Sequence, residues 1–186
     1  MPAIANTSNK ESKRFDTVKS TKISALIADL NNHDGLVRQK ARNELIKIGE
    51  PAVETLIQAF NSREGYTHWE AAKALRQIGS PKAARALVKA LENDQFSVRW
   101  LAAEGLISLG RNGLEPLLHA LEYKANSVWL REGAHHVLHD LLSYNTLLES
   151  SLKSALKPTL TALDEIEPTI TVPRAAHKAL QDLRHF

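Results

Sequence analysis

Residues 132–139 read Glu132-Gly133-Ala134-His135-His136-Val137-Leu138-His139, the densest group of possible ligands and proton carriers in the chain. On a helix Glu132 and His136 share a face, as do His135 and His139, because residues four apart are neighbours. The step from Glu132 to His135 is the Glu-x-x-His spacing by which helical bundles hold paired iron ions. Such a centre needs at least two segments of this kind to converge, and the chain offers one. His68 stands a unit away and off the same ridge. No metal and no other cofactor is therefore expected, and the histidines are read as solvated or partner-facing groups. There is no cysteine, which excludes disulfides, thiolate metal sites and a cysteine nucleophile. It also suits a reducing, cytoplasmic setting. No Gly-rich strand-to-helix phosphate loop is visible, and no nucleophile elbow.

Whatever these residues do, they must be positioned by a repeat. Ile48-Gly49, Ile78-Gly79 and Leu109-Gly110 close the same phrase at steps of 30 and 31 residues. A leucine precedes each glycine by four residues (Leu45, Leu75, Leu106) and an alanine by eight (Ala41, Ala71, Ala102). A unit of this size is one helical hairpin, which must stack on copies of itself to bury its apolar face. The first helices carry Leu26, Ile27 and Leu30, then Leu56, Ile57 and Phe60, Leu87, Val88 and Leu91, and Leu117, Leu118 and Leu121. Steps of one, three and four place each trio on one face. Pro51 and Pro81 follow the closing phrase and suit a first helical turn. The glycine is expected as a left-handed C-cap.

Second helices are expected after the polar turns Asp34-Gly35, Asp94-Gln95 and Asn126-Ser127. They bury Val37, Ala41, Leu45 and Ile48, with the counterparts Val98, Ala102, Leu106 and Leu109, and Leu130, Ala134, Leu138 and Leu141. In the fourth unit Leu142 replaces the glycine. Leu160 and Leu163 match Leu118 and Leu121 at a step of 42, so about a dozen extra residues are expected within 143–157. The expected organisation is a flexible basic leader, 1–20, and a solenoid over 21–186. Its units are about 21–49, 50–79, 80–110, 111–143 and 146–186, the last an irregular C-terminal cap.

The repeat leaves one face of each second helix unassigned. It carries Leu36, Gln39, Asn43 and Ile46, then Tyr66, Trp69, Lys73 and Arg76, then Ser97, Trp100, Glu104 and Ile107, then Trp129, Glu132, His136 and His139. All three tryptophans fall on this face. Glu70, Glu104 and Glu132 flank them. Large rigid rings with a polar edge are typical binding anchors. The other use of such rings is to fill gaps between successive units.

The chain of 186 residues has a formal net charge of +3. Residues 1–22 hold five Lys or Arg against two Asp or Glu, which is the whole excess, so the body from 23 onward is neutral. A nucleic-acid scaffold places its excess on the folded surface, so nucleic acid is not expected as a partner. No apolar run reaches the length of about 20 that spans a bilayer.

The phrase V-R-x-x-A-x-x-x-L-x-x-I/L-G stands as Val37-Arg38…Gly49 and Val98-Arg99…Gly110, and loosely as Leu130-Arg131…Leu142. With the Pro-x-x-x-x-L-(I/V) phrase of the first helices, it resembles the short HEAT repeats of the phycobilisome-lyase-like type. The resemblance covers about 21–142 well and 146–186 weakly. It implies an all-α, right-handed α-solenoid of about five HEAT-like helical hairpins whose second helices line a concave groove. Members include phycobilin lyases, phycobilisome-degradation factors, deoxyhypusine hydroxylase and interaction scaffolds. The di-iron hydroxylases carry His-Glu pairs where this chain has Gln39-Lys40, Trp69-Glu70, Trp100-Leu101 and Glu132-Gly133, so that activity is not expected. Arg38, Arg99 and Arg131 hold equivalent places, and an Arg–Asp ladder with Asp34 and Asp94 is expected to set the stacking between units.

These readings point to a non-catalytic protein-binding scaffold with an aromatic and acidic groove. The expected binding residues are Tyr66, Trp69, Glu70, Lys73, Trp100, Glu104, Trp129, Glu132, His136 and His139. The expected partner is another protein or a peptide helix. The alternative is a phycobilin lyase or chaperone-like factor acting on phycobiliproteins. It would hold a bilin in the same groove without a nucleophile of its own.

Overall fold

A computed structural model describes residues 18–62, 65–144 and 148–185. Among these residues all regular structure is helical, and the fold class is the all-α solenoid that the repeat implies. The expected leader lies outside the described residues up to position 17, while 18–20 already belong to the first helix.

The helices are α1 (18–29), α2 (Gly35–Ile48), α3 (Val53–Asn61), α4 (Thr67–Ile78), α5 (Ala84–Ala90), α6 (Phe96–Leu109), α7 (Arg111–Lys124), α8 (Val128–Ser143), α9 (Ser150–Leu163) and α10 (Pro168–Leu183). Short 3₁₀ turns at Glu50–Ala52 and Pro81–Ala83 lead into α3 and α5, each with its proline in the first turn. That position needs no N–H. Local signals set the starts of the second helices. The Asp34 carboxylate accepts from the Leu36 N–H at 2.8 Å, and Ser127 Oγ accepts from the Leu130 N–H at 3.3 Å. Each supplies an acceptor to a helix-start amide that lacks one.

The closing glycines do more than cap. Gly49 has φ 69 and ψ −134, and Gly110 has φ 55 and ψ −127. The φ is positive as expected, but ψ lies far from the left-handed helical value near +47. This corner of backbone space admits little besides glycine. A Cβ on Gly49 would find room, since its nearest neighbour would be the Ile46 carbonyl oxygen at 3.9 Å. The penalty for Gly49→Ala is therefore conformational, and we expect a loss of about 1.5 kcal/mol. Urea unfolding would read it as a lower midpoint at unchanged slope. An unshifted midpoint would show that the turn can relax.

The chain forms two compact units, Met1–Ala74 and Leu75–Phe186. In the first, Leu30, Leu45 and Leu56 are fully buried, with Ala41, Val53 and Ala71 beside them. Lys22 of α1 pairs with Glu44 of α2 at 3.5 Å, joining the two helices, and Lys47 of α2 pairs with the same carboxylate at 2.8 Å. Lys47 first and Lys22 second hold the Glu44 carboxyl below the usual carboxylate range. Val37, Ile48, Leu26 and Ile27 are only half-buried, so the expected stripe is fully dry at its centre alone.

In the second unit the expected stripes of α6 and α8 are buried throughout. Helix α5 packs on α6 and α7, and α6 on α8. Small residues allow the close approach. A Cβ on Gly105 would come within 2.9 Å of Leu87, and one on Gly133 within 2.8 Å of Leu91. The last hairpin departs from expectation. Helix α9 packs on α8, and α10 packs on α7. In this hairpin the earlier helix thus extends the row of second helices, and the later helix joins the first-helix row. The match of Leu160 and Leu163 to Leu118 and Leu121 fails accordingly. Those leucines are half-buried, while Leu152, Leu156, Thr159 and Ala162 face inward. Helix α8 ends without a closing glycine, since Leu142 stands at that place and the C-cap is Tyr144. Residues 145–147, within the expected insertion, lie outside the described residues.

Candidate functional site

The three repeat arginines are structural, by a different contact from the one expected. Arg38 Nη1 donates to the Asn32 and His33 carbonyls at 2.7 and 3.0 Å. Arg99 Nη1 donates to the Asn93 and Asp94 carbonyls at 2.9 and 3.1 Å, and Arg131 donates to the Ala125 carbonyl. Each arginine thus closes the turn of its own hairpin by holding main-chain carbonyls. The Asp34 carboxylate is occupied at the helix start. The expected ladder between units is corrected to a clamp within each unit. A guanidinium presents several donors in a fixed plane, which suits two adjacent carbonyls.

These clamps explain two of the aromatic residues. The Tyr66 ring covers the Arg38 guanidinium at 4.0 Å, and the Trp129 ring covers that of Arg99 at 4.7 Å. Both rings stand two positions before the arginine register of the following unit, Tyr66 in the turn just before α4 and Trp129 in the first turn of α8. The sequence therefore held a signal: an aromatic at that place after a Val-Arg unit. Each stacking is worth roughly 0.5–1 kcal/mol at half-exposed sites. Tyr66 remains 47% and Trp129 42% exposed, so one side of each ring still meets solvent.

Glu70 and Lys73 are placed by a different logic. Glu70 is buried, at 6% exposure. Its carboxylate pairs with Arg42, and lies 3.8 Å from Arg38 Nε and 3.6 Å from Lys73 Nζ. Lys73 also lies over the half-buried Trp69 ring at 4.9 Å. Three cations around one carboxylate make Glu70 a packing hub between α2 and α4. The expectation that it faces a ligand is corrected.

Unit 75–186 brings together Trp100, Glu104 and His136. The Trp100 and His136 rings stack with centroids 4.9 Å apart and planes at 28°. Glu104 lies 3.5 Å from His136 Nε2 and 3.2 Å from Arg76 Nη2. Phe96, which the sequence reading missed, lies 6.5 Å from Trp100 and is 69% exposed. Arg99 lies between it and Trp129, 5.6 Å from the Phe96 ring. The result is a connected row of Phe96, Trp100, Arg99 and Trp129, with Val128 54% exposed at its edge. Phe96 was missed because it precedes the repeat face by one position.

The histidine cluster is dispersed. His135 Nε2 lies 3.0 Å from Asp164, and His139 stacks on His135 and meets the edge of Tyr144. Glu132 is exposed beside a shallow cleft shared with His135 and Asp164. Among the described residues no three His, Cys, Asp or Glu side chains converge as a metal site requires. Among them, too, no helix is long and apolar enough to cross a membrane.

The family model for HEAT repeats matches residues 23–107 and, overlapping them, 53–139. The chain is a HEAT-repeat protein. The match is to HEAT repeats in general and leaves the lyase-like subtype open. No curated protein matches the chain. Among solved structures this HEAT-repeat protein is similar to the crystal structures of two engineered proteins. One shares 18% identity at a TM-score of 0.42, with 88% of this chain and 96% of that chain covered. The other shares 20% identity at a TM-score of 0.42, and 87% of this chain aligns with 47% of that one. HEAT-repeat proteins commonly bind other proteins.

Proposed function

We propose that this HEAT-repeat protein is a non-catalytic binding scaffold whose contact surface on unit 75–186 is the row Phe96, Trp100, Arg99 and Trp129. One observation carries this reading: three aromatic rings, each 42–69% exposed, touch one another directly or through a single arginine. Singly exposed apolar residues are ordinary, while a contiguous patch marks an interaction surface. Aromatic residues and arginine are enriched where protein interfaces concentrate their energy. Glu104 and His136 form its polar border, with Glu132 and His139 further along α8, and a helical segment of another protein is the partner that such a row of second helices suits. The rings of Tyr66 and Trp69 offer a second, smaller contact on unit 1–74.

The bilin reading draws no support from this geometry. Glu104, on the same helix as Trp100, already serves Arg76 and His136.

The test is capture from native lysate by the wild-type chain and by a Phe96→Ala/Trp100→Ala variant, with folding monitored by circular dichroism. Partners retained by the wild type and lost from an equally folded variant are expected. Equal capture by both would overturn the assignment.

A further inference from the structure

Two features of unit 75–186 take no part in the aromatic row. The first is a pair of adjoining clefts of about 580 and 460 Å³ beside the N-terminal turns of α7. Lys82 and Arg85 line one, and Arg111 and Arg184 line the other. All four residues are exposed. Glu115 is the only carboxylate residue in either lining, while Pro81, Val88 and Pro116 supply apolar surface. A cationic rim around apolar walls suits an apolar side chain flanked by carboxylates.

The second feature has that composition. The turn between α9 and α10 reads Asp164-Glu165-Ile166-Glu167. All four residues are exposed, and Ile166 is 100% exposed. Asp164 lies 3.0 Å from His135 Nε2, which leaves Glu165 and Glu167 as the carboxylates open to a partner. The turn sits at the N-terminal end of α10, and Arg184 of the cleft sits just past its C-terminal end. The sixteen residues of α10 separate the two by about 24 Å. A turn that begins a helix cannot reach a cleft at the far end of that rigid helix. The cleft of a second copy is within its reach.

We propose that the chain self-associates by seating the Asp164–Glu167 turn of one copy in the Arg85/Arg111/Arg184 cleft of another. Ile166 meets Pro81 and Pro116, and Glu165 and Glu167 face Arg85, Arg111 and Arg184. The contact joins two different surfaces, so it is heterologous and leads to a closed ring or an open chain. Much of the attraction is between exposed charges, so added salt weakens it.

The test is sedimentation of the full chain over a range of concentrations at low and high salt. The mean mass of the wild type is expected to rise with concentration at low salt and to fall back with added salt. Glu165→Lys/Glu167→Lys, which reverses the turn, and Arg85→Glu/Arg111→Glu, which reverses the cleft, should each stay monomeric. Their equimolar mixture should associate again, because each then meets an opposite charge on the other. Thermal melts check that these surface changes leave folding intact. A wild type that stays monomeric at every concentration and salt overturns the proposal, as does association that survives in both variants. So does a monomeric wild type whose cleft binds a synthetic peptide of residues 161–170. That result would give the cleft to an acidic segment of another protein.

Discussion

Replacing Glu70 by alanine should destabilise the protein by about 3 kcal/mol, the low end of what breaking a buried ion pair costs. Glu70 has a side chain only 8% exposed, and its cations Arg42, Arg38 and Lys73 are 15%, 17% and 33% exposed. Without the carboxylate, three positive charges remain close together with little water to screen them. Their residual exposure lets them turn partly outward, which is why the upper end of the range is not expected. Glu70→Gln keeps the volume and most of the packing but removes the charge, so it should recover only a minor part of the loss. Glu132→Ala, on an exposed position of the corresponding face, should shift stability by less than about 0.5 kcal/mol. Urea unfolding of the three variants against the wild type separates these outcomes. A Glu70→Ala midpoint as close to wild type as that of Glu132→Ala would show the carboxylate to be dispensable. A double-mutant cycle with Arg42→Ala should then give a coupling near zero, rather than the 0.5–3 kcal/mol of contacting charges.

The contrast between Glu70 and Glu132 also marks where the sequence stops being legible. The repeat fixes the centre of each stripe, because an apolar residue every three or four positions has one face to bury. Leu45, Leu106, Leu138 and their alanine partners are buried as read. What the period does not contain is the neighbour across the interface. Glu70 flanks the tryptophan face and so reads as a groove residue, yet it is buried against Arg38 and Arg42 of the preceding second helix. Tyr66 and Trp129 look like free anchors, yet each spends one side on an arginine of the preceding unit. The exchange of rows by α9 and α10 is of the same kind. Residues 150–183 have helical spacing in either arrangement, so spacing alone does not choose between them. Phe96 was lost for a simpler reason: at the first position of α6 it escapes a face defined one residue later.

Trp100→Ala should separate the two uses of an aromatic ring on this surface. A tryptophan that fills a dry gap between helices costs about 3–5 kcal/mol of stability when truncated. Trp100 is 46% exposed, and its ring meets the His136 ring at 4.9 Å and Phe96 at 6.5 Å. Roughly half its surface never leaves water on folding, so the loss of stability should be nearer 1 kcal/mol. The same exposed half is available to a partner. Central aromatic anchors cost about 2–4 kcal/mol of binding when removed, which is a fall in affinity of roughly 30-fold to 1,000-fold. The expected result is thus a small shift in melting with a large loss of partner affinity, measured by titration against the partner captured by the wild type. Trp100→Phe keeps the stacking on His136 and should keep most of both quantities. If stability falls by 3 kcal/mol or more and affinity falls only in proportion to the unfolded fraction, the ring is a packing element and the contact surface lies elsewhere. Trp129→Ala provides the internal control. Its ring already lies over Arg99, so its removal should cost stability and affinity together, because the arginine that closes the turn loses its cover.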